Sequence, residues 1–191
     1  MSTPYHHGSL REVLIAEGRQ LLMEEGAQAV TIRGLAKRAG VSHSAPLRHF
    51  PDRDALLDAI AAEGFDELTA ALGTADRHED LHDRLSDYAH AHVRFAAENG
   101  RLMELMFTGS PRGVDSSAAH AATRFFAQGA AMLGEDGHDR PGPLPFLVAG
   151  MLEGISALAS TGRLAADQVD EVTDAAVALL LPAVRGQLDQ R

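Results

Sequence analysis

The sequence predicts an all-α protein of about nine helices, with a small N-terminal three-helix head and a larger C-terminal helical bundle. Three observations carry that prediction. Apolar side chains recur at steps of three and four, capping residues and glycines punctuate the segments, and period-two alternation is absent. The chain has 191 residues, 45% of them apolar, which is enough to bury a real core.

The elements follow in order. Leu10, Val13, Leu14, Leu21 and Leu22 take helical spacing from Ser9 to Glu25, with Ser9 and Glu12 as a capping box and Gly26 as the stop. Thr31 opens a short helix that places Ile32, Leu35, Ala36 and Ala39 on one face, and Gly40 ends it. Ser42 opens a third helix reaching Phe50. Pro51-Asp52 breaks it, and Asp52 caps a longer helix with Leu56, Leu57, Ile60, Phe65 and Leu68. From Glu79 to Glu98, the positions Leu81, Leu85, Tyr88, His92 and Phe95 make an amphipathic helix. A short helix covers Leu102–Phe107, and another is marked by Ala118, Ala122, Phe125, Phe126 and Met132. Two loops rich in Gly and Pro flank that segment, Thr108–Val114 and Gly134–Pro145. The last helices are expected near Leu144–Ser160 and Ala166–Leu181.

Composition excludes several chemistries. With no cysteine, disulfides, thiolate metal sites and cysteine nucleophiles are ruled out. No apolar run is read as reaching the roughly 18 residues of a membrane span. Arg11, Glu12, Glu17 and Arg19 stand where a signal-peptide core would lie, so a soluble cytoplasmic protein is expected. The net charge of −10 argues against nucleic acid until its distribution is considered. Residues 1–54 hold seven basic and six acidic side chains, a net of +1, and the rest of the chain carries −11. Between Thr31 and Arg53, five basic groups face Asp52 alone, a net of +4. The expected domains are therefore residues 1–54, reading DNA, and 55–191, sensing and dimerising.

Two short helices joined by Ala39-Gly40-Val41-Ser42 have the spacing of a helix-turn-helix, whose second helix enters the DNA major groove. Arg33, Arg48 and Arg53 lie where they would reach phosphates on both sides of that groove. The run Val30-Thr31-Ile32-Arg33-Gly34-Leu35-Ala36-Lys37-Arg38-Ala39-Gly40-Val41-Ser42, then Leu47-Arg48-His49-Phe50, then Asp52-Arg53-Asp54-Ala55-Leu56-Leu57, resembles the TetR-type transcriptional regulators in order and spacing. The resemblance implies that Thr31 caps the first motif helix and donates to a phosphate, and that Arg33 reaches the backbone or a base. Ser42, His43, Ser44 and Ala45 would lead the recognition helix, with Ala45 against a thymine methyl. His49 and Arg53 would clamp phosphates, and Tyr5, His6 and His7 would form an arm. The family usually has a tyrosine where this chain has Leu47, and an apolar non-proline residue where it has Pro46.

The acidic remainder reads as a sensor. Phe65, Tyr88, Phe95, Phe107, Phe125, Phe126, Met103, Met106 and Met151 supply methionine and aromatic walls suited to an adaptable apolar pocket, and equally to plain core. His92 is the polar candidate among them. The resemblance implies a small-molecule effector held between these helices. The last two helices are apolar on more than one face, which fits pairing with a second copy through Leu147, Met151, Gly154, Ile155, Leu158, Val172, Ala176 and Leu180. The expected protein is thus a homodimeric, ligand-responsive regulator, a repressor released from a palindromic operator, with no cofactor, metal or catalytic residue.

Two other classes fit less well. His78 and His82, four apart with Glu79 and Asp83 adjacent, have metal-ligand spacing, but the stretch reads as a solvated helix start. A helical ligand-binding or interaction bundle without operator binding is the other.

Overall fold

The computed structural model describes residues 10–108, 113–135 and 142–189. The expected Ser9 cap, the arm at Tyr5, His6 and His7, and the middles of the two expected loops lie outside the described residues. Among the described residues there are eight α-helices: α1 (Leu10–Glu25), α2 (Ile32–Arg38), α3 (Arg53–Leu72), α4 (Leu81–Glu98), α5 (Gly100–Phe107), α6 (Ser117–Met132), α7 (Pro143–Ser160) and α8 (Val169–Leu188). Four short 3₁₀ turns join them, at Ala27–Ala29, Pro46–Arg48, Ala75–Arg77 and Ala166–Gln168, and no strand is present among the described residues. The chain is all-α, as its apolar periodicity predicts.

The third expected helix, Ser42–Phe50, is replaced by tight turns, and Pro46 is the reason. An α-helix through this segment needs the residue 46 N–H on the Ser42 carbonyl, and proline has no N–H and crowds that carbonyl. The Ser42 oxygen instead accepts from Ala45 N at 3.0 Å, and Ala45 O accepts from Arg48 N at 3.3 Å.

Two compact units form. One takes residues up to Phe65 together with Arg101–Ala121, and the other takes Asp66–Gly100 together with Ala122–Arg191. This division differs from a cut at 54/55, because α3 and α6 each contribute residues to both units.

The first unit is built on α1, whose Leu14, Ile15, Leu21 and Leu22 are buried with Val30, Leu35, Phe50, Leu56 and Ile60. Gly18 makes the crossing possible. A Cβ there would stand 2.9 Å from Ile60 Cδ1 and 3.4 Å from Leu35 Cδ1. At Gly64 a Cβ would meet Met106 Sδ at 2.7 Å, so α3 and α5 meet across bare backbone. Asp52 Oδ1 accepts from Ala55 N at 2.7 Å, the cap expected for α3. Asp58, 6% exposed, reaches across to the start of α6. Its Oδ2 accepts from Ser117 N at 3.0 Å and its Oδ1 from Ala118 N at 3.4 Å.

In the second unit, α4, α7 and α8 share a core of Leu85, Ala89, Val93, Leu144, Val148, Leu152, Ile155, Val177 and Leu180. Asp80 caps α4 by accepting from His82 N at 2.7 Å and Asp83 N at 3.2 Å. Tyr88 packs against this core, and burial pushes its phenol from 10.0 to about 12. The phenol stays protonated in the folded chain at pH values where the unfolded chain has already ionised. Stability is therefore full below pH 10 and falls as pH rises toward 12, by about 3 kcal/mol if the whole difference is expressed. Chemical unfolding between pH 9 and 12 should reveal this slope, and Tyr88→Phe should flatten it. An equal slope in both proteins would refute the assignment.

Candidate nucleic-acid interface

The site grows from a well-determined turn. Thr31 takes an extended backbone and its Oγ1 accepts from Gly34 N at 3.1 Å, closing the first turn of α2 while leaving its own hydroxyl hydrogen free to donate. At the other end Gly40 takes φ +66°, the left-handed conformation glycine adopts without strain. Val41 N then reaches Ala36 O at 3.0 Å and Gly40 N reaches Lys37 O at 3.3 Å, a Schellman closure. The chain reverses there, and Pro46 and Phe50 bury themselves in the head, with the Arg11 guanidinium lying 5.4 Å over the Phe50 ring.

What remains outside, Leu47 apart, is mainly polar and cationic. Thr31, Arg33, Gly34, Lys37, Val41 and His43 border an open hollow of about 610 Å³. Ser42, His43, Ser44, Arg48 and His49 are all exposed, and Ala45 is half-buried. Arg33, Lys37 and Arg48 have no ion-pair or hydrogen-bond partner among the described residues.

The other two cations of the segment are occupied. Arg38 Nε donates to Glu17 Oε2 at 2.8 Å, and that bond holds its guanidinium pKa above the ordinary value. Arg53 turns inward, donating from Nε to Val30 O at 2.8 Å and from Nη2 to Ala27 O at 2.5 Å. Arg53 thus satisfies carbonyls of the Ala27–Ala29 turn, which corrects its reading as a phosphate clamp. Lys37, absent from the expected contacts, stands on the open face in its place. Sequence spacing cannot separate these cases, because a buried carbonyl 26 residues away leaves no trace near Arg53.

The expected effector residues divide between the two units. Phe65, Met103 and Met106 are buried in the first, and Phe107 lies edge-on to Phe65 at 5.4 Å but is partly exposed. In the second, Phe125 is buried, Phe95 and Met151 are half-buried, and Phe126 is half exposed beside Phe125, with ring centres 5.1 Å apart. Exposure removes Phe126 from an interior wall. His92 is 3% exposed, and its Nε2 lies 3.0 Å from Glu153 Oε1. Its Nδ1 is buried and has no hydrogen-bond partner among the described residues. His90 is half-buried between Asp170 and Asp174 of α8, at 3.5 and 2.8 Å.

The expected dimer residues divide as well. Leu147, 60% exposed, together with Gly154 and Leu158, lies on the outer face of α7. Met151 and Val172 are half-buried. Ile155, Ala176 and Leu180 belong to the unit's own core, so they are not open to a second copy. Leu179, 73% exposed, joins the outer face instead. Two-sided apolarity also makes α7 long and apolar enough to cross a membrane by composition, with a mean hydropathy of 1.4, contrary to the expectation that no run would qualify. One side of it packs into the core of the second unit.

His78 and His82 do not share a helix face. His78 precedes α4 with extended backbone and bonds Asp87 at 2.6 Å, while His82 lies beside Asp83 at 3.2 Å. Asp80, His82 and Asp83 come within 4.8 Å of one another, all exposed, where Asp80 is already the helix cap.

An all-α chain whose turn after a glycine-closed helix carries exposed, unpartnered cations belongs to the helix-turn-helix class of DNA-binding proteins. The family model described as bacterial regulatory proteins, tetR family, matches residues 14–60. The head of the chain thus carries a segment of the tetR type. Among curated proteins it is 30% identical over 122 residues to the nucleoid occlusion factor SlmA of Marinobacter nauticus, a match covering 62% of this chain and 61% of that protein. A solved protein of unknown function from Rhodococcus sp. RHA1 superposes with a TM-score of 0.79 at 36% identity, over 97% of this chain and 98% of that one. The TetR-family regulator PfmR of Thermus thermophilus shares the fold, with a TM-score of 0.61 at 22% identity over 88% of this chain and 97% of that one.

Proposed function

We propose that this protein is a homodimeric transcriptional repressor that binds a palindromic operator through the head at 10–60 and releases it when a small effector occupies the helical body. The observation that carries the reading is the set of cations at the turn. Arg33, Lys37 and Arg48 remain exposed and unpartnered among the described residues, although the chain as a whole has ten more acidic than basic groups. Such groups are matched by phosphates on either side of a major groove.

Two further features support the finer parts. The outer strip of Leu147, Gly150, Gly154, Leu158 and Leu179 is apolar and smooth, and a Cβ at either glycine would meet nothing beyond its own helix backbone within 4 Å. That strip suits a twofold copy, which would set the half-site spacing. His92 supports an effector with an apolar body and one polar group. With Nε2 donating to Glu153, the buried Nδ1 is left as an acceptor for a hydroxyl or amide N–H. Effector binding would act by preferring the conformer in which α3 and the reading turns no longer fit successive grooves.

Selection of duplexes from a random pool, followed by shift assays at 50 and 200 mM salt, tests this. Inverted repeats should be recovered, with affinity falling on the order of a thousandfold between the two salts. Recovery of no sequence, or salt-independent binding, would sink the reading.

A further inference from the structure

Leu47 is out of character with its surroundings. It is 51% exposed at the centre of the Pro46–Arg48 turn, between two residues that the fold fixes. Pro46 before it is buried, and Phe50 beyond it is buried and bonded back to Pro46 O at 2.9 Å. With both anchors inside, the side chain at 47 can only point away from the head. Ser44, three residues before it, is likewise exposed. Around it stand His43, Arg48 and His49, all exposed, so an isobutyl group occupies the middle of a polar, cationic surface.

A lone exposed leucine is ordinary on a protein surface. This one sits on the surface proposed to meet DNA, where it would lose its water. It has no donor for a phosphate and no acceptor for a base edge. In the major groove the apolar group that varies with sequence is the C5-methyl of thymine. We infer that Leu47 is a specificity-determining residue that reads one thymine methyl in each half-site. The inference rests on the DNA-binding reading above and goes beyond it by assigning one side chain to one chemical group of the base pair. Ala45, half-buried and a turn earlier, has a shorter reach and would meet a different thymine if it meets one.

Deoxyuridine substitution isolates the group, because it removes the methyl and leaves base pairing and hydrogen-bonding edges intact. The operator recovered by selection with the wild-type chain is remade with deoxyuridine at each thymine in turn, symmetrically in both half-sites. Binding is measured for wild type and for Leu47→Ala, whose exposed position leaves folding intact, as circular dichroism would verify. At one thymine per half-site, wild type should lose roughly fourfold for each methyl, or on the order of fifteenfold for the pair. Leu47→Ala should show no loss at that thymine while keeping any loss at the others. Wild-type insensitivity at every thymine overturns the inference with the DNA reading left standing, as does an unchanged penalty in Leu47→Ala. Recovery of no operator overturns the DNA reading and this inference with it.

Discussion

A double variant, Arg33→Ala with Arg48→Ala, should bind the selected operator on the order of a thousandfold more weakly than wild type, with an unchanged melting temperature. In the proposed homodimer four guanidinium contacts are lost. At about 1 kcal/mol each, a modest value for a charge-assisted bond, the sum is close to three decades of affinity. The same loss should lower the slope of log affinity against log salt by roughly 3.5, because fewer counterions are displaced. Neither arginine has an internal partner among the described residues, so folding should not notice their removal. Arg38 is the matched control. It shares a helix with Arg33 but is already engaged with Glu17, so Arg38→Ala should leave operator affinity nearly intact. Equal losses from Arg38→Ala and from the double variant would mean that bulk charge, and not this face, drives binding.

The second large effect falls on stability. Asp58→Ala should lower the melting temperature by roughly 5 to 15 °C, corresponding to about 2–4 kcal/mol. The Asp58 carboxylate is buried and is the partner of two successive backbone N–H groups, Ser117 N and Ala118 N, at the start of α6. Those groups lack partners within the helix by geometry, and the positive end of the helix dipole adds to the attraction. Alanine leaves the donors in a site too enclosed for full hydration, while Ser116 Oγ still serves Ala119 N at 3.1 Å. Asp58→Asn keeps an oxygen acceptor but loses the charge, so it should fall between the two. Calorimetry on the three proteins decides it, and a shift under about 2 °C for alanine would remove Asp58 as the link between α3 and α6.

Several features of the site are legible in the sequence alone. Thr31 as a cap, Gly40 as a left-handed stop and Asp52 as the cap of α3 depend on residues three or four apart, and local backbone geometry dictates them. The all-α architecture is of the same kind, since a 3.6-residue apolar period admits little else. Where the reading missed, the cause was long-range. Arg53 carries the same charge as Arg33, yet the Ala27–Ala29 turn and Val30 beside it present two carbonyls that claim it. The helix face that carries His90 is mainly polar, yet α8, more than 80 residues onward for Asp174, brings Asp170 and Asp174 to meet it.

Pro46 shows the boundary between the two kinds of information. Its missing N–H was plain in the chain, but whether it sat harmlessly in a first turn or broke the recognition helix depended on where that helix began. With Ser42 O bonded to Ala45 N, the break follows, and Leu47 is turned outward.

The run Leu179-Leu180-Leu181 makes the same point in the body. Three identical side chains carry no signal about direction, and packing against α4 and α7 buries Leu180 while leaving Leu179 exposed. The amino-acid sequence by itself determined the helices, their caps and the location of the basic segment, because each follows from interactions within about one turn of chain. Tertiary structure alone decided which cations and which leucines remain free, because that depends on partners brought close only after the helices pack.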